Sequence, residues 1–128
     1  MRRYLESKRV DPAAIDETVS GLTEQGYLDD ARYARQFAED RRTLDDWGAE
    51  RIERRLRAAG VEPDLVEAAL AGHGPEVELA AAVDLLRRRF AKPPADDRER
   101  NRALGVLVRK GYDLELAHDA IRAHARSG

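Results

Sequence analysis

The chain has 128 residues, 38% of them charged and only 5% aromatic, with a formal net charge of −2. That length suits one ordinary domain or a few small modules, and the composition suits helices with narrow apolar stripes rather than a thick sheet sandwich. The absence of cysteine excludes disulfides and thiolate metal sites, no run nears the roughly 18 apolar residues that cross a bilayer, and the opening MRRYLESKRVDPAA lacks a signal peptide's apolar stretch. The expectation is a soluble, cytoplasmic protein.

In chain order, Asp11–Pro12 reads as an N-cap followed by proline at the first helical position, opening a helix that Gly26 is expected to close. In GYLDDARYARQFAEDRR (26–42), Asp29 is the expected N-cap of the next helix and Leu28 staples onto Tyr33. Asp30 adds favourable charge at that N-terminus. The segment therefore reads as a corner that bulky Tyr27 and Leu28 pack into, followed by an apolar stripe at 31, 34, 37 and 38. Adjacent side chains on a helix point about 100° apart, so Asp29–Asp30 reads as capping rather than as an acid–base pair.

Trp47 and Gly48 precede a helix whose face is Ala49, Ile52, Leu56 and Ala59, with Gly60 ending it and Glu62–Pro63 opening another. GHGP (72–75) interrupts the pattern, and Leu79, Val83, Leu86 and Phe90 make a further face. KPPADD (92–97) is the expected module boundary, because Pro93–Pro94 cannot continue a helix. Leu104, Leu107 and Val108 supply the next face, Gly111 ends that helix, and Asp113 caps the last. No segment alternates like a strand, and the whole reads as about eight helices.

Three segments superimpose without gaps: LESKRVDPAAIDETV (5–19), LRAAGVEPDLVEAAL (56–70) and LVRKGYDLELAHDAI (107–121), each 51 residues after the last. Each copy reads as helix–turn–helix, with Arg9, Gly60 and Gly111 in equivalent turn positions. The second helices open PAAIDETV, PDLVEAAL and LELAHDAI, with acids where reading a DNA groove requires Arg, Lys, Asn or Gln. Sequence-specific DNA recognition is thus disfavoured.

Nothing in the sequence amounts to an active site. His73, His118 and His124 are scattered and read as exposed or loosely packed, no serine sits in a nucleophile elbow, and no cofactor or metal is implied. Charge instead gathers at Arg51, Arg54, Arg55 and Arg57, and again at Arg87, Arg88 and Arg89. Glu50–Arg54 and Glu53–Arg57 are spaced as helical ion pairs, whereas Arg51 and Arg55 have no acid four residues upstream. These two clusters are the candidate partner-binding surface.

Two linked stretches carry a family resemblance: G-Y-L-D-D at 26–30 and, about twenty residues on, Trp47, Gly48, Arg51, Ile52, Leu56 and Gly60. With LVRKGYDLELA late in the chain, the sequence resembles the RecX family of recombination regulators over nearly its whole length. The resemblance implies an all-α fold of tandem three-helix modules in an elongated, curved array, with the first and last modules incomplete. The expected units are a first module over 1–43, a second over 44–93, and a third over 94–128 without a full third helix. It also implies a non-enzymatic protein that binds the RecA–DNA filament, with DNA in the filament as a further contact, and inhibits ATP hydrolysis and strand exchange. The protein is expected to act as a monomer without a membrane. A stand-alone, non-sequence-specific DNA-binding protein is the alternative. Tyr27, Leu28, Phe37, Trp47, Ile52 and Leu56 are expected to set the angle between modules.

Overall fold

The computed structural model describes residues 16–127, with side chains from 24 to 126. The described chain forms α1 (Asp16–Asp45), α2 (Ala49–Ala58), α3 (Pro63–Ala69), α4 (Pro75–Arg89), α5 (Asp97–Lys110) and α6 (Leu114–Ser127), and contains no strand. The first copy of the repeat, and the start expected at Pro12, lie largely outside the described residues.

Two apolar cores organise these helices. Ala34 and Ala38 of α1 pack with Ile52 and Leu56 of α2 and with Val61, Leu65 and Val66 at α3. A second core joins Val83, Leu85 and Leu86 of α4 to Val106 and Leu107 of α5 and to Ala117, Ala120 and Ile121 of α6. The repeat maps buried positions onto buried positions: Leu56 onto Leu107, Val61 onto Tyr112, and Val66 onto Ala117. Its turns match as well. Gly60 (φ 88°) and Gly111 (φ 103°) occupy the left-handed region that glycine enters without a Cβ clash. Beyond each, an amide reaches back to close the helix, Val61 to the Leu56 carbonyl and Tyr112 to the Leu107 carbonyl, both at 3.1 Å.

Local capping sets the starts. Pro63 and Pro75 open α3 and α4. Asp96 accepts the Glu99 amide at 2.9 Å while the Glu99 carboxylate accepts the Ala95 amide, and Asp113 accepts the Leu116 amide at 3.2 Å. The expected face of α5 is rotated: Leu107 is buried, but Ala103 and Val106 complete the inward stripe and Val108 is exposed.

The corner at 26–30 is not there. α1 runs unbroken through Gly26, so Asp29 is not an N-cap and Leu28 does not staple a helix start. One glycine inside a helix costs only about 1 kcal/mol against alanine. Side-chain contacts one turn apart support this stretch, with the Gln25 amide donating to Asp29 at 3.0 Å and Arg32 lying 3.9 Å from Asp29. Leu28 is 55% exposed, while Asp30, one turn before Ala34, is buried.

The packing also divides the chain differently from the units expected at 44–93 and 94–128. α1 shares its core with α2 and α3, and α4 shares its core with α5 and α6. The break between cores therefore falls at GHGP. KPPADD is a loop inside the second unit, because α4 packs along α6 once the chain has turned back. With its 14 residues, α6 is the third helix of that unit rather than a shortened end.

Candidate functional site

The junction between the two units is built from backbone. Three successive amides at the start of α2 have no partner within their own helix, and all three are satisfied from the other unit. Gly48 N–H donates to the Lys110 carbonyl at 2.7 Å and Glu50 N–H to the Gly111 carbonyl at 3.0 Å. Between them, Ala49 N–H donates to the Glu78 carboxylate at 3.0 Å. The N-terminus of α2 thus meets the C-terminus of α5 head to tail, an arrangement that also aligns their dipoles. Such closeness requires Gly48: a Cβ there would lie 2.5 Å from the Gly111 oxygen and 2.8 Å from the Tyr112 nitrogen.

Cations complete the joint reciprocally. The Arg51 guanidinium donates to the Arg109 carbonyl at 3.0 Å, and the Lys110 ammonium donates to the Asp45 carbonyl at 2.8 Å. Each caps a helix end of the opposite unit. Arg51 also lies over the Trp47 ring at 4.1 Å, and the indole meets Phe37 edge-on at 6.0 Å. Asp46, at φ 59°, turns the chain from α1 toward α2, and its carboxylate receives both terminal nitrogens of Arg88, at 2.8 and 3.3 Å. That pairing raises the Arg88 pKa further above its ordinary value.

The candidate partner-binding arginines therefore separate into two groups. Arg51 and Arg88 are tied into the joint. Arg54, Arg55, Arg57, Arg87 and Arg89 are exposed, Arg57 with a Glu53 partner at 2.8 Å. Arg54 acts on Glu50 through its charge. Of the residues expected to set the inter-module angle, Trp47 reaches the joint through Arg51, and Phe37 supports it. Ile52 and Leu56 fill the first core, and Tyr27 donates its hydroxyl to Asp64 at 2.8 Å within the first unit.

Sequence reasoning missed Glu78 and Tyr112 and reads His73 only as exposed or loosely packed; all three are drawn to this junction. Burial raises the Glu78 pKa against the opposing Ala49 amide and Arg42 charge. Burial also raises that of Glu50, assisted by Asp113 across the joint. His73 is pushed down to about 4 by burial and then by the Arg42 charge, and burial pushes Tyr112 up to about 12. His124, expected to be exposed or loosely packed, is buried. Among the described residues no group of His, Asp and Glu is placed to hold a metal, and no helix is long and apolar enough to cross a membrane.

Two three-helix units with matching turns, joined end to end, define an all-α protein of tandem three-helix modules. The models of the second and third three-helix domains of RecX match residues 29–70 and 76–121, which coincide with the two cores. The regulatory protein RecX of Trichlorobacter lovleyi is 34% identical over 122 residues, covering 91% of this chain and 78% of its own. That of Deinococcus radiodurans is 35% identical over 125 residues, covering 95% and 58%. The chain belongs to the RecX family. The crystal structure of RecX from Lactobacillus salivarius shares the fold, with a TM-score of 0.72 at 20% identity over 96% of this chain and 81% of that one.

Proposed function

We propose that this chain is a non-enzymatic, cytoplasmic regulator that binds the RecA–DNA filament as a monomer and inhibits ATP hydrolysis and strand exchange. One observation supports this most: exposed arginines on α2 and at the end of α4 are carried by modules that a backbone-to-backbone joint holds together. A filament offers acidic protein surface and DNA phosphate at repeated positions. A ligand that presents guanidinium groups from a preorganised frame loses less entropy on docking than a flexible one. Arg54, Arg55, Arg57, Arg87 and Arg89 make those contacts, while Arg51 and Arg88 hold the frame.

The test is RecA ATPase on single-stranded DNA with added protein, comparing the native chain with an Arg54→Glu/Arg55→Glu variant. The variant should inhibit several-fold more weakly at unchanged helical circular dichroism, each lost exposed contact removing on the order of 0.5–1 kcal/mol. Equal inhibition would remove the α2 surface from the contact. The exposed cations also suit DNA phosphate alone. Tight binding to bare single- or double-stranded DNA, with no effect on RecA, would favour a stand-alone DNA-binding protein instead.

A further inference from the structure

At the joint lies an open cleft of about 380 Å³ whose charged wall is wholly acidic: Glu50 from α2, Glu78 from α4, and Asp113, Glu115 and Asp119 around α6, with His73 beside them. Both units contribute, so the cleft exists only while the joint is closed. Asp119 is engaged by Arg122, and Arg54 and Arg42 act on Glu50 and Glu78 only through their charge. Glu50 and Asp113 approach from different units within hydrogen-bonding reach, and when both are ionised their charges repel.

Glu78 provides the second observation. It is only 7% exposed, and one oxygen accepts the Ala49 amide. The other, Oε1, is buried with no hydrogen-bond partner. Leaving a buried carboxylate oxygen without a donor is unfavourable, so Glu78 holds unused acceptor capacity at the cleft wall.

We infer that this cleft is a receptor for one basic side chain of a partner protein, a guanidinium bridging Glu50 and Asp113 above Glu78. A divalent ion fits poorly, since it needs several oxygens drawn to a single point and no such group exists among the described residues. A guanidinium carries five donors on a planar fork and spans separated carboxylates. Its positive charge would relieve the repulsion between Glu50 and Asp113 and favour the ionised form of Glu78. The inference does not depend on the identity of the partner.

The experiment titrates the intact chain with N-acetylarginine amide and follows amide and side-chain carboxyl resonances by NMR, with N-acetylcitrulline amide and magnesium chloride as parallel arms. Expected are saturable shifts at Glu50, Glu78, Asp113 and Glu115 with the arginine compound alone. A Glu50→Gln/Asp113→Asn variant keeps a good cap on α6 and should bind at least about tenfold more weakly, because both carboxylates that the guanidinium bridges lose their charge. Helical circular dichroism of that variant verifies its fold. Shifts scattered away from the cleft, equal binding by citrulline or by the double variant, or tighter binding of magnesium would each overturn the inference.

Discussion

Replacing Gly48 by alanine tests the joint directly. Its φ of −84° and ψ of 169° are open to any residue, so within the first unit the substitution introduces no backbone strain. By reducing the freedom of the unfolded chain it should even add a few tenths of a kcal/mol. The cost comes entirely from the other unit. A Cβ at 2.5 Å from the Gly111 oxygen and 2.6 Å from its carbonyl carbon must retreat by roughly 1 Å to reach an ordinary contact, and backbone cannot rotate away. That displacement stretches the Gly48–Lys110 and Glu50–Gly111 bonds, now 2.7 and 3.0 Å, past useful hydrogen-bond length. Two such bonds are worth about 2 kcal/mol together. For a chain of this size that lowers the melting temperature by about 5–15 °C, or separates one transition into two. The protein has no cysteine, so Arg57→Cys and Arg102→Cys place spin labels on exposed sites of α2 and α5 without competition. Gly48→Ala should broaden and shift the distance distribution between them. An unchanged distribution with a melting temperature within about 2 °C of the parent would refute the account of the joint.

Glu78 and the titrating groups give further predictions. Glu78→Gln keeps an acceptor for the Ala49 amide and relieves a buried charge, so chemical denaturation should find it near neutral or slightly stabilising, whereas Glu78→Ala leaves that amide unmet and should cost about 1–2 kcal/mol. The pKa values of Glu50 and Glu78 are raised by folding, so their contribution is complete below the ordinary 4.5 and is lost as pH climbs through the raised folded values. The pKa of His73 is depressed from 6.5 to about 4, so its contribution is present above 6.5 and is lost as pH falls toward 4. Urea unfolding at pH 4.5 and 7 should therefore show opposite changes on substitution: relative to the parent, His73→Gln loses the gain in stability with rising pH, and Glu50→Gln loses the decline. Parallel pH profiles for all three proteins would contradict these environments.

The internal logic of each module was legible from residue order. Helix ends at Gly60 and Gly111, starts at Pro63 and Asp113, and the buried register of Ile52, Leu56 and Leu107 follow from local rules whose partners lie within a few residues. Gly26 was misleading because the same residue that closes a helix in the left-handed conformation can also sit inside one, and only the surrounding packing decides between them. Pro93–Pro94 was misread for a related reason. Prolines mark where a helix stops but not whether the chain then leaves its core, and here α6 returns to α4.

The joint was illegible because its partners lie far apart in sequence and most of its bonds are made by backbone. Gly48 looks like a loop residue, yet its function is the absence of a Cβ against Gly111, 63 positions later. Glu78 looks like an acid in the first turn of its own helix, yet it caps α2. The lack of an acid one turn upstream of Arg51 points toward a partner only if carbonyls and aromatic rings are left out as recipients of its charge. The guanidinium in fact serves the Arg109 carbonyl and the Trp47 face. A cation without an acidic neighbour is therefore evidence of some other contact, not of an intermolecular one. Applied along the chain, this separates Arg51 from Arg54 and Arg55: charge reversal at Arg51 should move the inter-module distance, and reversal at the other two should leave it in place.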